Sequence, residues 1–203
     1  MNSIKARLER ALLWLAKVSP DVVCLQELKV TDDNFPFDEL RAAGYHAAVH
    51  GQRTYNGVAI LSRSEPEDVI IGFDDDDDDT QARAITARID GCRISSLYIP
   101  NGQSVGSDKW EYKKRWYGRL REFLEREFST DEPLLLCGDF NVAPAHADVA
   151  NPEKWADSVL FHPEARAMLQ SVTDFGLTDT IRIHHVGQGP YSWWDYRMLA
   201  FPK

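Results

Sequence analysis

Glu27, Asp139 and Asn141 are the residues of this chain whose types and positions suit chemistry. Two apolar runs that read as buried strands end on acids. Val22 to Leu25 runs into Gln26-Glu27, and Leu134 to Cys137 runs into Gly138-Asp139. Asn141 follows Asp139 by two residues, so in extended chain the two side chains point to one side. If the two strands are neighbours in a sheet, their carboxylates meet at the same rim. Carboxylates plus an amide oxygen are hard donors, suited to Mg²⁺ or Mn²⁺ rather than zinc. The same residues admit a plainer account, in which Asp-x-Asn forms a turn and Glu27 faces water at a strand end.

Elements able to position such a rim alternate along the chain. Ile4, Leu8, Ala11, Leu12 and Leu15 fall at helical spacing and predict an opening amphipathic helix. "GYHAAVHG", "GVAILSR", "EDVIIGF", "ARAITARI" and "CRISSLYIP" read as strands, several bounded by Gly or Pro. Tyr112, Trp116, Leu120 and Leu124 share a face of the longest helix candidate, Trp110 to Phe128, and "PLLLCGD" follows as a strand. A polar loop then runs to about Asp157, before a helix around "HPEARAMLQSVTDFGL". Strands without strict βα alternation predict an α+β or layered α/β/β/α protein rather than a Rossmann fold. No GxGxxG or GxxxxGK[ST] offers a nucleotide cradle.

A chain of 203 residues is long enough for one domain with a real core. Its 32 acids against 23 Lys and Arg give a formal charge of −9, which argues against general attraction to nucleic acid. Any polyanion must find a local basic face. Cys24, Cys92 and Cys137 sit inside apolar runs without CxxC spacing, which predicts reduced thiols and a cytoplasmic setting. "MNSIKARLER" is too charged for a signal peptide, and no apolar run approaches a membrane span.

Five fragments taken together say more. "DVVCLQELKVTDDNFP", "YNGVAILSR", "SLYIPNG", "LLLCGDFNVAP" and "YSWWDYR" resemble the exonuclease III family of the endonuclease/exonuclease/phosphatase superfamily, in the family's order and at family-like separations. The resemblance implies two packed mixed sheets flanked by helices. It also implies a Mg²⁺-dependent (or Mn²⁺-dependent) DNA-repair phosphodiesterase, a 3′→5′ exonuclease, an abasic-site endonuclease or both. Residue by residue it implies a metal ligand at Glu27 and a phosphate contact at Tyr98. Asp139 would prepare the attacking water or protonate the leaving group, and Asn141 would help hold the pentacoordinate phosphoryl centre. Asp139 and Asn141 would join Glu27 at the metal. Phosphodiester hydrolysis needs charge neutralised on the non-bridging oxygens and an in-line water, so the roles agree with the residue types.

The substrate side rests on basic and aromatic residues. Lys109, Lys113, Lys114, Arg115, Arg119 and Arg121 gather on one helix of an acidic chain, either as a phosphate track or as an ordinary solvated face. Lys113 is taken as a DNA contact, as is Arg83, which matches a basic residue that the family places near DNA. Trp193 resembles the aromatic lining the family's pocket for a base-less sugar, with Trp194 and Arg197 beside it; core packing is the plainer account. The expected partner is duplex DNA with abasic sites or 3′ ends, met by a monomer with no membrane association.

The run Asp74 to Asp79 lacks an EF-hand's spaced ligands, Gly and closing Glu, and reads as a solvated, self-repelling loop. His184-His185 reads as a surface pair. The family's opening strand, with its Asn, and its closing GLRIDxxL and SDHxP motifs have no counterpart here. The expectation is therefore a single domain over residues 1–203, incomplete at both termini, with turnover below the family's rate. A catalytically inactive nuclease-like fragment and a phosphatase acting on a non-DNA phosphoester are the competing readings.

Overall fold

The computed structural model describes residues Met1–Ser192, so Trp193, Trp194 and Arg197 lie outside the described residues. Two compact units divide the chain: Met1–Pro100 with Arg119–Phe140, and Asn101–Gly118 with the residues from Asn141 on.

The first unit opens with α1 (Ile4–Val18) and β1 (Val22–Gln26), followed by α2 (Phe37–Ala42). The strands β2 (His46–His50), β3 (Val58–Ser62), β4 (Glu67–Ile71), β5 (Ala84–Ile89) and β6 (Cys92–Tyr98) come next. The helix α3 (Asp108–Glu127) gives its first half to the second unit and its remainder to the first, which β7 (Leu134–Asp139) completes. Sequence capping sets α1: the Ser3 hydroxyl accepts from Ala6 N at 3.4 Å, and Ser19 ends the helix in the left-handed region.

The seven strands form two sheets, in the orders β1-β3-β2 and β4-β5-β6-β7. All neighbours are antiparallel except β6 and β7, which run parallel. Strand alternation sorts the core. On β3, Ala59 and Leu61 point to one side and pack with Ile4 and Leu15 of α1, Leu40 of α2 and Tyr45. Val58 and Ile60 point to the other side, where they meet Ile85, Ala87 and Ile89 of β5 and Ile94 of β6. Two sheets therefore pack face to face, with α1 on the outer side of the smaller one. That is the expected layering, with mixed rather than all-parallel pairing.

The acidic run departs from the expected solvated loop. Asp74, Asp76 and Asp78 are exposed, but Asp75, Asp77 and Asp79 turn inward and ion-pair with Arg119 of α3. The run is irregular rather than a strand: Asp74 takes the left-handed region, the chain bends at Asp75 and Asp76, and Asp79 N donates to Asp77 Oδ1 at 2.9 Å, which turns three of the carboxylates inward.

In the second unit, Trp110 of α3 packs with Val159 and Ala165, the latter on α5 (Pro163–Thr173). The segment expected as a loop to Asp157 contains α4 (Pro152–Trp155), and α6 (Thr180–His184) follows α5. His184 and His185 are both exposed, as expected. Among the described residues, no helix is long and apolar enough to cross a membrane.

Candidate active site

Strand register brings the first site residues together. Tyr98 closes β6, Asp139 closes β7, and the two are partners in the parallel pairing. Paired residues of neighbouring strands project to the same face. On β6 that face carries Ile94 and Ser96 toward the smaller sheet. There the Ser96 hydroxyl donates to Leu25 O at 3.2 Å and accepts from Gln26 Nε2 at 3.1 Å. This polar stitch fixes the end of β1 over β6. The next residue is Glu27, held at φ 58, a left-handed backbone uncommon outside glycine and often found at functional sites.

Glu27 and Asp139 both act on the Tyr98 phenol. Burial pushes the phenol up to about 12; the Glu27 and Asp139 carboxylates add to the shift, while Arg83 opposes it. The Met1 amino group feels the same two carboxylates, although its own pKa is lowered, chiefly by burial. Lys29 ion-pairs with Glu27 at 3.6 Å and donates to Asn2 Oδ1 at 2.6 Å. Arg83 sits with its guanidinium 5.0 Å from the centre of the Tyr98 ring and donates from Nη1 to Tyr98 O at 3.0 Å.

Gly138 permits the close approach of β7. Its φ of 144° and its place against β6 leave no room for a side chain, since a Cβ there would lie 1.9 Å from Leu97 O. The glycine before Asp139 is thus a requirement of the sheet, and it fixes where the acid falls.

The rim suits a divalent cation. Both carboxylates lie near enough to act on one phenol, and their oxygens are hard donors. Among the described residues no group of three or more His, Cys, Asp or Glu gathers as a metal cluster. Glu27 and Asp139 are the carboxylates that could hold a cation here. Mg²⁺ ordinarily takes one or two carboxylates and completes its shell with water and substrate phosphate.

Asn141 lies two residues beyond Asp139 along the chain and belongs to the second unit, at φ 49. Its side-chain oxygen accepts from Asn101 Nδ2 at 3.0 Å. Lys113 is a correction to the expected phosphate track. It is fully buried, and its ammonium donates to the carbonyls of Asn101, Asn141 and Val159 at 3.2, 2.7 and 2.8 Å. A charge so enclosed is stabilised by its carbonyl partners and has no surface to offer DNA. Lys114, by contrast, is surface-exposed and pairs with Glu111 at 3.0 Å.

Sequence reasoning passed over Asn101, which orients Asn141, and Gln81, which accepts from Arg83 Nε at 2.9 Å. Asn101 stands in the quoted "SLYIPNG", three residues past Tyr98, so its position was a signal. Gln81 carried none.

The family model described as the Endonuclease/Exonuclease/phosphatase family matches residues 1–203. The exodeoxyribonuclease III of Haemophilus influenzae is 34% identical over 99% of this chain and 80% of its own length. Among solved structures, an AP endonuclease from Archaeoglobus fulgidus superposes with a TM-score of 0.93 at 38% identity, over 97% of this chain and 76% of that one. The 3′ phosphatase NExo from Neisseria, bound to product DNA hairpin, superposes with a TM-score of 0.93 at 42% identity, over 98% of this chain and 77% of that one.

Proposed function

The chain belongs to the endonuclease/exonuclease/phosphatase family, and on that premise we propose how this DNA-repair nuclease works: it hydrolyses the DNA backbone with Mg²⁺ or Mn²⁺, as a 3′→5′ exonuclease, an abasic-site endonuclease, or both. The observation that carries the reading is the register pairing of Tyr98 with Asp139, with the Glu27 and Asp139 carboxylates both acting on that phenol. An acid, a protonated donor and a second carboxylate at one rim match the needs of phosphodiester hydrolysis.

Each residue has a role in this reading. Tyr98 keeps its proton at neutral pH, so its O–H is available to a non-bridging phosphate oxygen. Arg83, stacked over that ring, adds positive potential where the phosphate would sit and extends it along the DNA. Asp139 takes the proton of the attacking water or returns one to the leaving oxygen. Asn141, oriented by Asn101, offers its amide to the pentacoordinate phosphoryl centre. Glu27, Asp139 and Asn141 would hold the cation, whose charge offsets that developing on the phosphoryl oxygens. Trp193, Trp194 and Arg197 are proposed for the base-less sugar, on the resemblance of "YSWWDYR" alone. Residues 1–203 are proposed as a single domain of the family type, acting as a monomer in the cytoplasm.

The test uses three labelled substrates with and without Mg²⁺: a duplex with one abasic site, a duplex with a recessed 3′ end, and a hairpin with a 3′ phosphate. Metal-dependent release from at least one of them, lost by about 10³-fold in Asp139→Asn, is the expected result. Hydrolysis that survives Asp139→Asn would show the acid to be a turn former. Release from the 3′-phosphate hairpin alone would make the activity end-cleaning rather than incision.

A further inference from the structure

The acidic run and the rim are joined by an unbroken series of contacts inside the first unit. Arg119 binds Asp75 through two nearly parallel bonds, Nε to Oδ2 at 2.8 Å and Nη2 to Oδ1 at 2.7 Å. Its Nη1 reaches Asp79 Oδ2 at 3.0 Å and lies 3.4 Å from Asp77 Oδ1. Asp79 Oδ1 accepts from the Gln81 backbone N at 3.0 Å. Gln81 Oε1 accepts from Arg83 Nε at 2.9 Å and from Asn56 Nδ2 at 3.2 Å. Arg83 Nη1 ends the series on Tyr98 O.

The run needs such a centre. Three carboxylates drawn to one place repel each other, and the Asp79 side chain is only 6% exposed, so water alone would not relieve it. Arg119 is itself 11% exposed, so the pairing is screened far less than a surface ion pair. A guanidinium can serve several carboxylates because its donors form a planar fork; an ammonium has no such geometry. The start of the loop has a separate anchor, since Arg126 donates to the carbonyls of Phe73 and Asp74. Arg119 also secures the far end, at Asp79, which leads into Gln81 and Arg83.

We propose that Arg119 is a positioning residue for the nuclease site: by gathering Asp75, Asp77 and Asp79 it fixes Gln81, and Gln81 holds Arg83 against Tyr98. The proposal rests on the reading of Tyr98 as a phosphate contact for its functional half, and on geometry alone for its structural half. Arg119 touches neither substrate nor metal. Without it, the three carboxylates lose the guanidinium they share and repel one another, Gln81 shifts, and the Gln81–Arg83 bond weakens.

The Arg83 Nε–H is the reporter, read by nitrogen-15 NMR of the arginine side chains. In Arg119→Gln its exchange with solvent should quicken by about tenfold or more, with Arg119→Lys in between, while the amides of β3 keep their protection. On an abasic duplex with Mg²⁺, the same variants should lower kcat by about tenfold and leave KM within about twofold, since misplacement at the phosphate acts on the reacting geometry. Arg119→Gln combined with Gln81→Ala should cost no more than the worse single change, because both break one series. Unchanged Arg83 Nε–H exchange in folded Arg119→Gln, or fully additive losses, overturns the proposal. Should Arg119→Gln fail to fold, Arg119→Lys decides on the same exchange criterion. Should the unsubstituted protein cut none of the DNA substrates, the functional reading falls, and the exchange measurement still judges the clamp.

Discussion

Burial and the Glu27 carboxylate hold the proton on Tyr98 through the whole range in which DNA is a substrate. Tyr98→Phe keeps the ring and removes the donor, and should lower hydrolysis by about 10²-fold with little change in DNA affinity. The raised phenol also links folding to pH. A group whose folded pKa lies above its unfolded value of about 10 stabilises the fold fully below that pH. That contribution fades as pH rises from about 10 through about 12. Urea titrations across this window should show a decline in the parent protein that is absent in Tyr98→Phe. Lys113 gives the opposite lesson. It was grouped with the exposed cations of α3, yet Trp110, Trp116 and Tyr117, at helical spacings of three and four from it, already placed it on the apolar face. Lys113→Ala strips a donor from three carbonyls and should destabilise the fold by about 3 kcal/mol or more. If Lys113 were a phosphate contact instead, a folded Lys113→Met would shrink the salt dependence of DNA binding by about one counterion, and the structure predicts no change.

At the scale of elements, the pairing of β6 with β7 decides where the acid falls. Gly138→Ala would drive a methyl group into Leu97 O, a backbone atom unable to turn aside. The expected cost is about 3 kcal/mol or more, with β7 shifted and Asp139 displaced. A thermal melt of Gly138→Ala close to that of the parent would show that β7 sits less tightly on β6. Among the described residues, all seven strands and the three longer helices were legible, because strand alternation and helical spacing persist over enough residues to be counted. The short helices α2, α4 and α6 were not, since a turn or so of helix shows no period. The acidic run hid its structure for another reason. Six identical residues have no visible alternation, and the side facing Arg119 is chosen by a helix some forty residues away. The candidate rim is proposed from acids closing apolar strands, whereas Gln81 joins Asp79 and Arg83 at spacings of two that polar loop residues show without any such role.

For the whole molecule, the acidic balance sets a limit on DNA binding. With a formal charge of −9, affinity for undamaged duplex should be no better than the nonspecific range of about 10⁻⁴ to 10⁻⁶ M at physiological salt. Fluorescence anisotropy with intact and abasic duplexes would check this, and nanomolar binding to the intact duplex would refute it. Chelation should abolish hydrolysis, with Mg²⁺ or Mn²⁺ restoring it. The pairing of β6 with β7 also has a consequence for the order in which the protein is made. Parallel strands cannot be joined by a hairpin, so β7 reaches β6 only after α3 has crossed between them. On a growing chain Glu27 and Tyr98 emerge first, and Asp139 comes last of the three. The carboxylate proposed for proton transfer is therefore installed by the last strand among the described residues, in a late non-local step. A nascent chain halted before β7 lacks the carboxylate proposed to move the proton, however well its first sheet has folded.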